Sequence, residues 1–185
     1  MSGWNGWYHI TSGTYGTWLR GDARGWRSRH HRRHVEGDYK HPPPGERDRA
    51  LRRRSQRLLK GPPVKLTKPM RKEAGRAVVE MLLFQEVELL CLSLDAVHLH
   101  LLGRFGKEPA RPKVGRAKKH AYHLLQKLGH RGSVWAKRCR VEPITDREHQ
   151  VNTYQYILDH AEKGAWTWSF KQGLYWTPQT PPKRA

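Results

Sequence analysis

Two histidines separated by one residue, His98-Leu99-His100, are the sharpest chemical feature of the chain. Side chains alternate between faces along a strand, so both imidazoles share one face and Leu99 takes the other. Val97, Leu99 and Leu101 then turn toward a core, while the two histidines stand side by side at a spacing suited to one divalent ion. The plainer reading is two unrelated histidines on a solvated strand face, in a chain that holds twelve histidines.

A second group sits in a helical stretch near the C-terminal end. On a 3.6-residue period Asn152, Tyr156, His160 and Lys163 share one stripe, and Val151, Tyr154, Leu158 and Ala161 share another, roughly opposite. Tyr154 therefore reads as a packed core tyrosine. Tyr156 lies one turn before His160, on a polar face that a core would not select. A phenol beside a third metal ligand suits attack on a metal-polarised phosphodiester, with the phenolate as nucleophile and the metal stabilising charge on the phosphate oxygens. The alternative is a helix with an exposed Tyr/His pair and no chemistry.

These residues need elements to hold them. Trp7 to Tyr15, rich in aromatic and β-branched residues, reads as a first strand. Three glycines in 16–26 mark an ordered loop. Residues 27–45 read as irregular, and Glu46 to Leu59 as a basic helix before Gly61-Pro62-Pro63. Thr67 is the N-cap of the strongest helix, over 68–88, with Met70, Ala74, Ala77, Val78, Met81, Leu82 and Leu89 on one face. Leu90 to Leu94 and Val97 to Leu101 alternate about a tight turn at Asp95-Ala96, which predicts a hairpin. A helix over Val114 to Leu128 stopped by Gly129, a strand over Val134 to Val141, a helix over 146–163 capped by Asp146, and an edge strand at Trp166 to Phe170 complete the order. This order describes an α+β sandwich, an antiparallel sheet with helices packed on it.

Composition narrows the partner. The 185 residues carry 36 Lys and Arg against 16 Asp and Glu, a formal charge of +20. That excess argues for a polyanion, most simply nucleic acid. It is concentrated in residues 20–60 and 102–140, and no Lys or Arg falls between Ala77 and Gly103. No apolar run reaches the roughly 18 residues of a membrane span, and the first residues lack the pattern of a secretory signal. Two cysteines, Cys91 and Cys139, make no disulfide framework, which fits a reducing compartment.

His98-Leu99-His100 on a strand, followed by a helix bearing Tyr156-Ile157-Leu158-Asp159-His160, resembles the single-tyrosine HUH transposases. The similarity is to the IS200-like and REP-associated tyrosine transposase group. Tyr8-His9-Ile10-Thr11, Gly16-Thr17-Trp18-Leu19 with Gly21-Asp22, and Gly164-Ala165-Trp166 also look like elements of that group. The resemblance spans about 7–170. It implies a ferredoxin/RRM-like HUH domain over 1–176, with a basic Pro-rich insertion at about 27–66 and a disordered tail at 177–185. It further implies that His98 and His100 bind the ion, Mg²⁺ or Mn²⁺, with His160 as third ligand and Tyr156 as the nucleophile. The chain departs from the pattern at Val97, where a polar residue such as Asn commonly precedes the first histidine.

The activity so implied is single-stranded DNA nicking and strand transfer through a 5′-phosphotyrosine, in a cytoplasmic, DNA-associated protein of prokaryotic type. Arg104, Lys107, Lys113, Arg116, Lys118 and Lys119 are the candidate contacts to the phosphates of a single strand or hairpin. Trp18, Trp26 and Trp135 are candidates to stack unpaired bases. A non-catalytic nucleic-acid-binding protein on the same fold, and an HUH replication initiator, are the competing readings. Relatives include both monomers and homodimers that exchange the tyrosine helix, and the sequence leaves both open.

Overall fold

The computed structural model describes residues 3–22 and 46–172. Trp26, residues 27–45 of the insertion and the tail at 177–185 lie outside them. The described residues form an α+β fold: strands β1 (Trp7–Gly13), β2 (Glu88–Leu94), β3 (His98–Arg104), β4 (Arg140–Pro143) and β5 (Trp166–Ser169), with helices α1 (Glu46–Arg57), α2 (Lys68–Phe84), α3 (Ala110–Lys127) and α4 (Arg147–Leu158). The sheet order is β4-β1-β3-β2-β5 and every pairing is antiparallel. The predicted edge strand is present as β5. No described helix is long and apolar enough to cross a membrane.

The two sheet faces have different cover. Ile10, Leu92, Leu94, Leu99 and Leu101 point to one face and join Ala74, Val78 and Leu82 of α2 and Val114, Ala121 and Leu125 of α3 in the main core. Burying these side chains is the chief stabilising term. On the other face α4 covers only part of the sheet, where Ile157 and Ile144 meet Trp7, Cys91 and Leu102. The remainder of that face carries the histidines.

Helix α2 starts as its sequence predicts, with the Thr67 hydroxyl accepting from the Met70 N–H at 3.4 Å. It ends four residues earlier than expected. Gln85 caps it, Glu86 takes a positive φ of 57°, and Leu89 enters β2 instead of the helix. A bulge between Leu89 and Cys91 then shifts the strand register, a change that periodicity alone does not reveal. Helix α2 also needs Gly75. The ring of Trp166 from β5 lies where a Cβ at that position would be.

The β2–β3 turn is displaced by one residue from its expected place. Ala96 and Val97 form it, so Val97 is not in the strand. Asp95 makes the turn without Gly or Asn. Its Oδ1 accepts from the Val97 and His98 backbone N–H groups at 2.6 and 2.5 Å, and its own N–H donates to the His98 carbonyl at 2.9 Å. An Asx side chain thus replaces the usual glycine. The expected strand over Val134 to Val141 shrinks to β4, preceded by a single bridge between Thr14 and Trp135.

Candidate nucleophile and histidine site

The hairpin places His98 and His100 on the open sheet face, with Leu99 and Leu101 fully buried beneath. Their ring centroids are 6.2 Å apart. Neighbouring strands add what the spacing in one strand could not show. Register pairs Thr11 of β1 and Ser93 of β2 with His100, one on each side. His9, two residues from Thr11 on the same face, brings Nε2 to 3.2 Å from Nδ1 of His100. Ser93 is buried, and its hydroxyl has no hydrogen-bond partner among the described residues.

Helix α4 closes one side of this cluster. Asp146 caps it by accepting from the His149 N–H at 2.8 Å. The seam it buries is Gln150, Thr153 and Ile157, not the predicted stripe: Val151 is 49% exposed and Ala161 is exposed. Tyr154 is half-buried against the smaller core, as expected of a packing residue. Tyr156 is 49% exposed, and its ring lies 5.7 Å from His100, 6.2 Å from His9 and 4.8 Å from His160. The helix stops at Leu158, so His160 sits in the 3-10 turn Asp159–Ala161, with its ring 4.7 Å from His100.

The proton positions follow from the partners. A carbonyl only accepts, so His160, with Nδ1 2.8 Å from the Tyr156 carbonyl, donates from Nδ1. His98 Nδ1 likewise faces a carboxylate, Asp95 Oδ2, at 3.5 Å. Burial would raise the Asp95 carboxyl, but hydrogen bonds from the His98 ring and from the Val97 and His98 N–H groups hold it at about 2. Burial lowers His100 to about 3, with the like charges of His9, His160 and His98 adding to it. Burial also lowers His9 to about 4 against the opposing pull of Glu142. Both rings are neutral at pH 7, so one proton joins them.

Imidazole nitrogens are donors that divalent transition metals take, and partners on Nδ1 are the kind that orient such ligands. The donor chemistry of His98, His100 and His160 therefore fits an ion. The grouping does not yet do so. Among the described residues no set of three or more His, Cys, Asp or Glu side chains is gathered as a ligand shell.

The basic residues divide. Lys118 is buried, and its Nζ donates to Ser12 Oγ at 2.9 Å and the Ala136 carbonyl at 2.7 Å, 6.0 Å above the Trp135 ring. Lys113 is buried too, donating to the Gln85 carbonyl at 2.6 Å, where its charge complements the C-terminus of α2. Both ammonium groups thus donate to oxygens of the protein itself instead of standing free at the surface. Arg116 pairs with Glu108 at 2.7 Å and Arg104 with Glu88, both at the surface. Lys107 and Lys119 are exposed. Trp135 packs against the main core. Trp18 is 52% exposed and stands edge-on to His98 at 6.1 Å.

His9 and Ser93 are the site residues that reading along the chain missed. His9 had one signal, the Tyr8-His9-Ile10-Thr11 segment, but only strand pairing joins it to His100.

No family model matches the chain, and no curated protein matches it. A solved structure does: a REP-associated tyrosine transposase bound to a REP hairpin, at 11% identity, over 86% of this chain and 68% of that one, with a TM-score of 0.50. At that identity the likeness is one of architecture, and it agrees with the antiparallel sheet and packed helices described above. The chain thus has the fold of a tyrosine transposase.

Proposed function

We propose that this chain is a metal-dependent enzyme that nicks and joins single-stranded DNA through Tyr156. The observation that carries the reading is the cluster of an exposed phenol with His100, His160 and His9 on the open sheet face. In the reaction Tyr156 loses its phenolic proton and its oxygen attacks the scissile phosphorus. The new O–P bond forms as the bond to the 3′ oxygen breaks, and that oxygen takes up a proton and leaves as a hydroxyl. The product is a 5′-phosphotyrosine, which a second 3′-hydroxyl can resolve without ATP. His98, His100 and His160 would hold Mg²⁺ or Mn²⁺, which when bound stabilises charge on the phosphate oxygens.

The solved transposase of like fold was bound to a hairpin, so a single strand bearing a hairpin is the first DNA to test. With a 3′-labelled oligonucleotide and Mn²⁺, the chain should form a denaturant-resistant adduct that chelation abolishes. DNA binding with no adduct under either metal would favour the non-catalytic reading, to which the ungathered ligand shell lends support.

A further inference from the structure

Helix α1 presents a row of guanidinium groups that have no ion-pair partner among the described residues. Its half-buried residues Asp48, Leu51 and Ser55 face the body of the protein, while Arg49, Arg53 and Arg57 are exposed, with Arg54 beside them. Steps of four residues advance a helix by about 6 Å and keep side chains on one face. The three arginines therefore line up along the axis. Like charges at that spacing weaken a helix, so the row opposes the helix that carries it. Arg76, Arg104, Arg116 and Arg140 each have a carboxylate partner. Among the described residues Arg49, Arg53, Arg54 and Arg57 have none.

The row is also tied to the site. Gly21, at φ +84°, approaches α1 so closely that a Cβ there would strike the backbone of Asp48 and Arg52. Just past the helix, the Lys60 N–H donates to the Tyr15 hydroxyl at 2.8 Å. The loop between Tyr15 and Gly21 carries Trp18, whose ring stands beside His98. One ordered loop thus joins the arginine row to the histidine cluster. With Lys113 and Lys118 donating to protein oxygens, α1 is an exposed cationic surface joined to that loop.

We propose that Arg49, Arg53 and Arg57 clamp the DNA backbone, each on one phosphate of the strand that leads to Tyr156. The inference rests on the DNA-processing reading above and adds to it the surface that sets affinity. Such contacts position a strand without reading its bases. Each phosphate neutralised on a single strand contributes about 0.7 to the dependence of log K on log salt.

The test compares full-length R49Q/R53Q/R57Q with K72Q/K127Q/R131Q, which removes the same charge from exposed positions elsewhere. Binding to a single-stranded oligonucleotide is measured across a salt series. The α1 variant should lower the slope by about 2, and the control by much less. R49K/R53K/R57K should keep the wild-type slope, because charge rather than shape releases the counterions. An unchanged slope in the α1 variant, or an equal loss in the control, would overturn the clamp. If the wild type binds DNA but forms no adduct while the α1 variant loses slope, the catalytic reading fails and the clamp stands. If it binds and reacts while the α1 slope is unaltered, only the clamp fails.

Discussion

His9 Nε2 lies 3.2 Å from His100 Nδ1, across the β1–β3 ladder, and both rings are buried far enough to stay neutral at pH 7. If His100 donates, its Nε2 lone pair points outward. If His9 donates, His100 carries its proton on Nε2 and offers no lone pair. Replacing His9 by Met keeps the volume and removes the acceptor. The adduct-forming rate should fall by about 10–100-fold, the usual cost of losing an orienting partner, with oligonucleotide affinity unchanged. His9→Gln, which restores an acceptor, should recover much of the rate. Nitrogen-15 spectra should show His100 protonated on Nδ1 in the wild type and moving toward the Nε2 form in His9→Met. A His100 tautomer indifferent to residue 9 would refute this role.

Tyr156 and Tyr154 differ by two positions and face different environments, one 49% exposed beside three histidines and one half-buried on the smaller core. Tyr156→Phe should abolish the covalent adduct and leave binding intact. Tyr154→Phe keeps the packed ring and should retain it. The reverse pattern on a denaturing gel would move the nucleophile to Tyr154.

Lys118 is a structural cation. Lys118→Met leaves Ser12 Oγ and the Ala136 carbonyl without their donor, a cost of about 1–3 kcal/mol in denaturant unfolding. The salt slope of DNA binding should not change. A slope reduced without loss of stability would mean that the ammonium faces DNA after all.

Gly75→Ala tests two opposed magnitudes. Helix propensity alone favours Ala by about 1 kcal/mol. The added Cβ overlaps the Trp166 ring, and overpacking costs about 1–3 kcal/mol. Net destabilisation is expected, with β5 disturbed first. Combining Gly75→Ala with Trp166→Leu should relieve the clash, and unfolding midpoints of the single and double variants will report it.

Burial pushes the Cys91 thiol up to about 12 from the ordinary 9.0. The unfolded chain therefore ionises first as pH rises, and stability is lost between pH 9 and 12, with no contribution below. Cys91→Ala should flatten the fall of unfolding free energy with pH over that window. Native alkylation at pH 8 should label the half-buried Cys139 before the buried Cys91. Rapid labelling of Cys91 would contradict its burial.

Much of this fold is written in local patterns. The His98-Leu99-His100 alternation fixes which side chains share a face, because a strand has a period of two. The Thr67 and Asp146 caps mark helix starts through side-chain oxygens that satisfy free N–H groups. The Tyr156–His160 spacing makes those residues neighbours in any helix, and here the 3-10 turn preserves the contact. Other features depend on partners far away in the chain. His9 joins His100 only through strand register, across 91 residues. Lys118 looks like surface charge until Ser12 and Ala136 meet it from other segments. The α4 seam runs through Gln150, Thr153 and Ile157, and Ile157 packs on Trp7, Cys91 and Leu102 from other segments. Periodicity tells which residues face together; only tertiary packing decides what they face.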